Sequence, residues 1–182
     1  MKTLDALNRD QVSVNNQQIF DTLKQKVGMV PNLYATAANS NVALGAILGF
    51  GDALGGGSFK GKEIEAIALA VSQVNDCEYC LAAHTAIGKM NGFNETQTLD
   101  LRTGAIADEK LRALTQLAIA LTENKGRADQ SFIDAFHAAG YDKAALVDLI
   151  GFIAVNTFNN FLNNTAGTTV DFPAAPELLA TV

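Results

Sequence analysis

Positive charge is scarce in this chain. Thirteen Lys and Arg stand against nineteen Asp and Glu among 182 residues, for a net charge of −6. No basic stripe runs along any segment to neutralise phosphates, so neither nucleic acid nor an anionic membrane surface is an expected partner. Long uninterrupted apolar runs are missing as well. The opening residues, M-K-T-L-D-A-L-N-R-D-Q, have no apolar core of the secretory kind. The most apolar stretch, Ala144 to Leu162, is broken by Asp148, Asn156, Asn159 and Asn160. It reads as a buried helix, not a membrane span, and a cytoplasmic location is the expectation. Gly55, Gly56 and Gly57 are not followed by a Lys-Ser/Thr pair at phosphate-loop spacing, so they read as a flexible connection. Strand alternation, low-complexity tracts and internal repeats are all lacking. Cysteine and histidine number two each.

What is present is helical periodicity. The length and a hydrophobic fraction of 48% are enough for one domain over residues 1–182 with a sizeable core. A polar arm is expected over residues 1–13 and an extended tail over 167–182. Between them the spacing predicts eight or nine helices. The first runs from Asn16 to Val27, with Ile19, Phe20, Leu23 and Val27 at helical intervals and Gly28 as its stop. A short one covers Leu33 to Ala38, and Ser40 or Asn41 caps the next, with Leu44, Ile47, Leu48 and Leu54 on one side. Lys62 to Val74 is strongly amphipathic, with Ile64, Ile67, Ala68 and Val71 inward. Further starts fall at Asn94, Asp108, Asp129 and Asp142, and stops at Gly92 and Gly140.

The organising stretch is Glu65 to His84, which carries both cysteines, Cys77 and Cys80, and one of the histidines. At about 100° per residue, a helix from Cys77 onward puts Cys80 and His84 one turn apart on one face. Glu65 would stand about 18 Å from Cys77 along a continuous helix. Only a turn at Asn75-Asp76 can fold it back towards the thiols. Asp76 or Asn75 would then cap a helix carrying Cys77 in its first turn. A free thiol is only about 3% ionised near pH 7, so reactivity needs help. Helix N-terminal amides and the imidazole of His84 are the available means. A second thiol nearby condenses with a sulfenic acid to give a disulfide.

Plainer readings stand beside this one. Cys77 and Cys80 could be small buried hydrophobes or a passive disulfide. Zinc held by Cys77, Cys80, His84 and Glu65 would just reach four ligands. Glu65 taken alone is a solvated carboxylate, and His137, near a helix C-terminus, reads as structural. Asn156, Asn159, Asn160, Asn163 and Asn164 are unusual in so apolar a helix. Their number calls for hydrogen-bond partners, in an oligomer interface, an active-site wall or the core.

The pattern E-x11-C-E-Y-C-x3-H resembles the signature of the alkylhydroperoxidase D-like proteins, within the carboxymuconolactone decarboxylase superfamily. V-G-M-V-P-N-L-Y at 27–34 and N-T-F-N-N-F-L-N-N…D-F-P at 156–173 are similar to segments of its peroxidase-related branch. The resemblance implies an all-α, single-domain helical bundle of that type, assembled as a homo-oligomer. It also implies thiol-dependent reduction of hydroperoxides with no cofactor. It makes Cys80 the peroxide-attacking thiol, Cys77 the resolving thiol, and Glu65 with His84 a proton relay. A thioredoxin-like or lipoamide-bearing reductant would restore the dithiol. The best-known members carry a histidine before the second cysteine; here Tyr79 stands there, in a position to donate to a thiolate or to substrate. A non-catalytic redox-sensing or binding module and a carboxymuconolactone decarboxylase-like enzyme are the alternatives.

Overall fold

The computed structural model describes residues 3–178. The first two residues of the expected arm and the last four of the expected tail lie outside the described residues. The described chain is all helical, with no strand: α1 (Val14–Val27), α2 (Asn32–Ala37), α3 (Ala43–Gly55), α4 (Lys62–Val74), α5 (Glu78–Met90), α6 (Glu95–Thr103), α7 (Glu109–Glu123), α8 (Gln130–Ala138) and α9 (Lys143–Ala166).

The helix ends follow the local chemistry of the sequence. Ser13, Asn94, Asp108 and Asp142 each accept a backbone N–H from their own first turn, and Gly28, Gly104 and Gly167 close helices in the left-handed region. At α3 the cap is displaced. Val42 holds the N-cap position, while the Ser40 hydroxyl accepts the Val42 and Ala43 N–H groups. The polar arm is not free. Arg9 forms a two-pronged ion pair with Asp21, Leu7 N–H donates to the Ala35 carbonyl, and residues 9–11 make a single 3-10 turn.

Helix α4 is the axis of the fold. It packs against α7, α5, α6 and α9, and every residue from Glu65 to Ser72 is buried. The amphipathic pattern understated this, because alanines 66, 68 and 70 let neighbours close on the flank that their small size conceals in a periodicity reading. Ile67, Leu69, Val71, Leu114, Leu117 and Leu149 are fully enclosed, each stabilising the core by about 1.5–3 kcal/mol. The glycine run at 55–57 is held, not merely flexible. Ser58 donates from both N–H (2.8 Å) and Oγ–H (2.6 Å) to Asp148 of α9, and a Cβ at Gly57 would lie 2.5 Å from that carboxylate.

Helix α9 is less buried than its composition suggests. By length and composition alone it could cross a bilayer, but it packs on α4, α3, α5 and α2. Asn156, Asn160 and Asn163 recur at helical spacing on its inner face, whereas Val147, Ile150, Phe158 and Phe161 are exposed.

Candidate active site

The turn between α4 and α5 creates the site. Asp76 adopts φ +49°, the left-handed region, and Cys77 N–H donates to the Ser72 carbonyl at 3.0 Å, folding α5 back along α4. Helix α9 braces this turn. Asn75 Nδ2 donates to Asn160 Oδ1 (2.9 Å), Asn160 Nδ2 to Ser72 Oγ (3.2 Å), and Asn164 Nδ2 to the Asn75 carbonyl (2.8 Å). Neither Asn75 nor Asp76 caps α5. Cys77 is the cap itself, just outside the helix, and its Sγ accepts the Cys80 N–H at 3.2 Å. The backbone leaves Asp76 in a left-handed bend, so the next residue inherits the extended cap conformation.

Cys77 and Cys80 are joined as a disulfide, with Cα atoms 5.3 Å apart. The pair is 0% and 3% exposed. It shares an apolar cluster with Leu33, Tyr79 and Ala83, bordered by Tyr34, Leu162, Val170 and Phe172. One turn further along α5, His84 Nδ1 lies 2.9 Å from Glu65 Oε2; the carboxylate side chain is 9% exposed and the imidazole 22%. Glu65, on the first turn of α4, is thus brought to the imidazole by the fold-back. Its contact with Nδ1 leaves Nε2 as the nitrogen free to exchange a proton. Tyr34 is also near. Burial, with Asp52 and Glu65 nearby, pushes its phenol up.

Tyr79 does not meet the expectation set for it. Its hydroxyl accepts the Leu33 N–H at 3.2 Å, and its ring packs edge-on against Phe172. Burial, chiefly, and the Asp171 carboxylate push its phenol well above the usual range. The side chain ties α5 to α2 and to the segment after α9 instead of donating to a sulfur. Asp171 also accepts the Asn32 N–H, and Arg102 donates to the Pro176 carbonyl, so residues 168–178 are strapped across the start of α5. His137 is structural, as expected: its Nδ1 meets the Tyr141 carbonyl at 2.8 Å.

One site residue was visible in the sequence only as a member of a group. Asn163 Nδ2 lies 3.3 Å from Cys80 Sγ and 4.0 Å from Cys77 Sγ. The signal that could have singled it out is the spacing 156, 160, 163, which shares one face of α9 with the buried turn. Asn163 also lines a cavity of about 430 Å³ bordered by Asp76, Glu78, Tyr79 and Thr168. The zinc arrangement does not form: the two sulfurs are bonded to each other, and among the described residues no three His, Cys, Asp or Glu side chains converge as a metal site.

Residues 43–123, which contain Glu65, Cys77, Cys80 and His84, match the carboxymuconolactone decarboxylase family. Over that segment the chain is similar to the family, and the match spans 81 of its 182 residues. The alkylhydroperoxidase AhpD core structure of a peroxidase-related protein from Ralstonia eutropha JMP134 is similar over 93% of this chain and 92% of its own, with TM-score 0.84 and 22% identity. A peroxidase-related protein from Silicibacter sp. TM1040 is similar over 92% of each chain, with TM-score 0.78 and 23% identity. The debrominase Bmp8, in complex with 2,3,4-tribromopyrrole, is similar over 94% of this chain and 92% of its own, with TM-score 0.79 and 19% identity. At these identities the likeness concerns the alkylhydroperoxidase D-like fold. No curated protein matches the sequence.

Proposed function

We propose that the chain is a thiol-dependent peroxidase that reduces hydroperoxides through a Cys77/Cys80 dithiol–disulfide cycle. The observation that carries this is the disulfide at the start of α5, one turn from an imidazole that a buried carboxylate holds at 2.9 Å. The Cys80 thiolate attacks the terminal oxygen of the hydroperoxide, forming an S–O bond and breaking O–O. The alkoxide leaves as the alcohol with the proton that His84 Nε2 had taken from the Cys80 thiol, the imidazole being oriented by Glu65 through Nδ1. Cys77 then gives up its own thiol proton and attacks the sulfenic sulfur of Cys80, hydroxide takes that proton and leaves as water, and the disulfide results.

A dithiol reductant, thioredoxin-like or lipoamide-bearing, closes the cycle. Its thiolate attacks Cys80 and expels Cys77. Cys77 suits that departure, because its sulfur already accepts a helix N-terminal N–H, and a stabilised thiolate leaves faster. Its second thiol then frees Cys80 and becomes oxidised.

The chain also works as a homo-oligomer in this reading. On the face shared by α3 and α9 the exposed Phe50 and Phe158 line an apolar cleft of about 310 Å³, and Ile150 and Phe161 are exposed elsewhere on α9. Phe158→Glu is expected to lower the mass measured by light scattering to that of a single chain; an unchanged mass rejects this face.

The activity is tested by steady-state consumption of an organic hydroperoxide with a dithiol reductant. Cys80→Ser is expected to abolish turnover, and retained turnover rejects the assigned nucleophile. Consumption of a single equivalent by the wild-type chain would favour the redox-sensing module.

A further inference from the structure

We propose that Asn163 is a catalytic residue, its side-chain amide donating to Cys80 Sγ and stabilising the thiolate that reduction releases. The assignment deepens the peroxidase reading and rests on Cys77 and Cys80 being a working redox pair.

Four of the five asparagines of α9 have different employments, and the fifth, Asn159, leaves its Oδ1 buried without a partner. Asn160 is satisfied at both ends, donating to Ser72 and accepting from Asn75; Asn156 donates to the Phe152 carbonyl; Asn164 donates to the Asn75 carbonyl. Asn163 differs. It is 3% exposed, its Nδ2 faces the two sulfurs, and its Oδ1 is buried with no hydrogen-bond partner. Asn16 and Asn159 also bury a bare Oδ1, so the unpaired acceptor is a cost to the fold that does not by itself mark Asn163. What marks it is the pair of sulfurs facing its Nδ2.

The distances and the cap divide the donors between the sulfurs. The α5 N-terminal N–H of Cys80 goes to Cys77 Sγ, so helix capping serves Cys77. Asn163 is nearer Cys80, at 3.3 Å against 4.0 Å. The titratable groups around Cys80 are mostly unhelpful to a second negative charge. Glu65 comes from α4, Tyr34 from α2, Asp76 from the turn, Glu78 and Tyr79 from α5, and Asp171 from the strap after α9. Only His84 can carry positive charge. Helix α9 has no charged residue between Asp148 and its end, so it offers a neutral donor that works at any pH. A disulfide sulfur is a weak acceptor and a thiolate a strong one, so the contact strengthens when charge appears on Cys80.

The test uses reduced full-length protein without peroxide, in a Cys77→Ser background so that Cys80 alone reports. Its titration is followed by thiolate ultraviolet absorbance and by the pH dependence of iodoacetamide alkylation. Asn163→Leu is expected to raise the Cys80 pKa by about one unit, and so to slow alkylation about tenfold near pH 7. Asn163→Asp keeps the shape, adds a negative charge, and should raise it further; it decides alone if the leucine variant does not fold. Asn156→Leu, remote from the sulfurs, should leave the titration where it is. An unshifted titration in the folded Asn163 variants, or an equal shift from Asn156→Leu, would overturn the assignment. A shifted titration in a protein without peroxide turnover would retain the Asn163 contact and discard the peroxidase reading; turnover with an unshifted titration would do the reverse.

Discussion

Replacing Glu65 by glutamine removes one charge and keeps the shape of the side chain. In the wild-type chain the buried Glu65 carboxylate lies 2.9 Å from His84 Nδ1 and can only accept, so the proton sits on Nδ1 and Nε2 is the free lone pair. Glutamine can present either an oxygen or an NH2 group to Nδ1. Where it presents NH2, the tautomer inverts and Nε2 loses its lone pair. Hydrogen bonds to charged groups are worth about 1.5–3 kcal/mol. At about 1.4 kcal/mol per decade this predicts a loss of about 10- to 100-fold in the rate of Cys80 oxidation. That loss reaches at most the lower end of the 10²–10⁴-fold typical of general acid–base assistance as a whole, as expected when the imidazole itself is kept. The assay is stopped-flow oxidation of the reduced chain by excess organic hydroperoxide, with an unfolding curve for each protein to separate rate from stability. A Glu65→Gln chain of wild-type stability that oxidises at the wild-type rate would refute the relay.

Tyr79→Phe leaves the Leu33 N–H without its acceptor and should cost about 1–3 kcal/mol in urea unfolding, with the rate of thiol oxidation unchanged. A slowed oxidation without a stability loss would return Tyr79 to the chemistry. Asp148 gives a pH signature. Hydrogen bonds from Ser58 hold its carboxyl below the usual carboxylate range. A folded pKa below the unfolded one means stability present above about pH 3.9 and lost as pH falls through the folded value. Asp148→Ala should therefore be less stable by about 0.5–1 kcal/mol near neutrality, allowing for solvent exposure, with the gap closing below about pH 4. A gap independent of pH would contradict the assignment.

Most of the helical framework was legible because its signals are local. The periodicity of α4, the caps at Asn94, Asp108 and Asp142, and the break at Asn75-Asp76 each lie within a few residues of their cause. The fold-back that brings Glu65 to His84 follows from that break, since two helices joined by three residues have little room to diverge. Contacts between distant elements left weaker traces. Asn163 meets Cys80 across 83 positions and three intervening helices, and only the 156, 160, 163 spacing hints at its face. The Tyr79 hydroxyl goes to a backbone amide of α2, which no motif encodes. Cys77 became the cap because of a left-handed bend at Asp76, a conformation composition does not announce in a non-glycine residue. The exposure of Phe158 and Phe161 is likewise invisible in a sequence whose apolar content suits burial and assembly equally.

The thiol count of the reduced chain before and after one equivalent of an organic hydroperoxide tests the central claim most directly. The account predicts that both thiols disappear together, with one alcohol formed per chain, and that a dithiol restores them for another round. If the thiols persist while peroxide is consumed, or vanish without alcohol being formed, Cys77 and Cys80 are not the reducing pair.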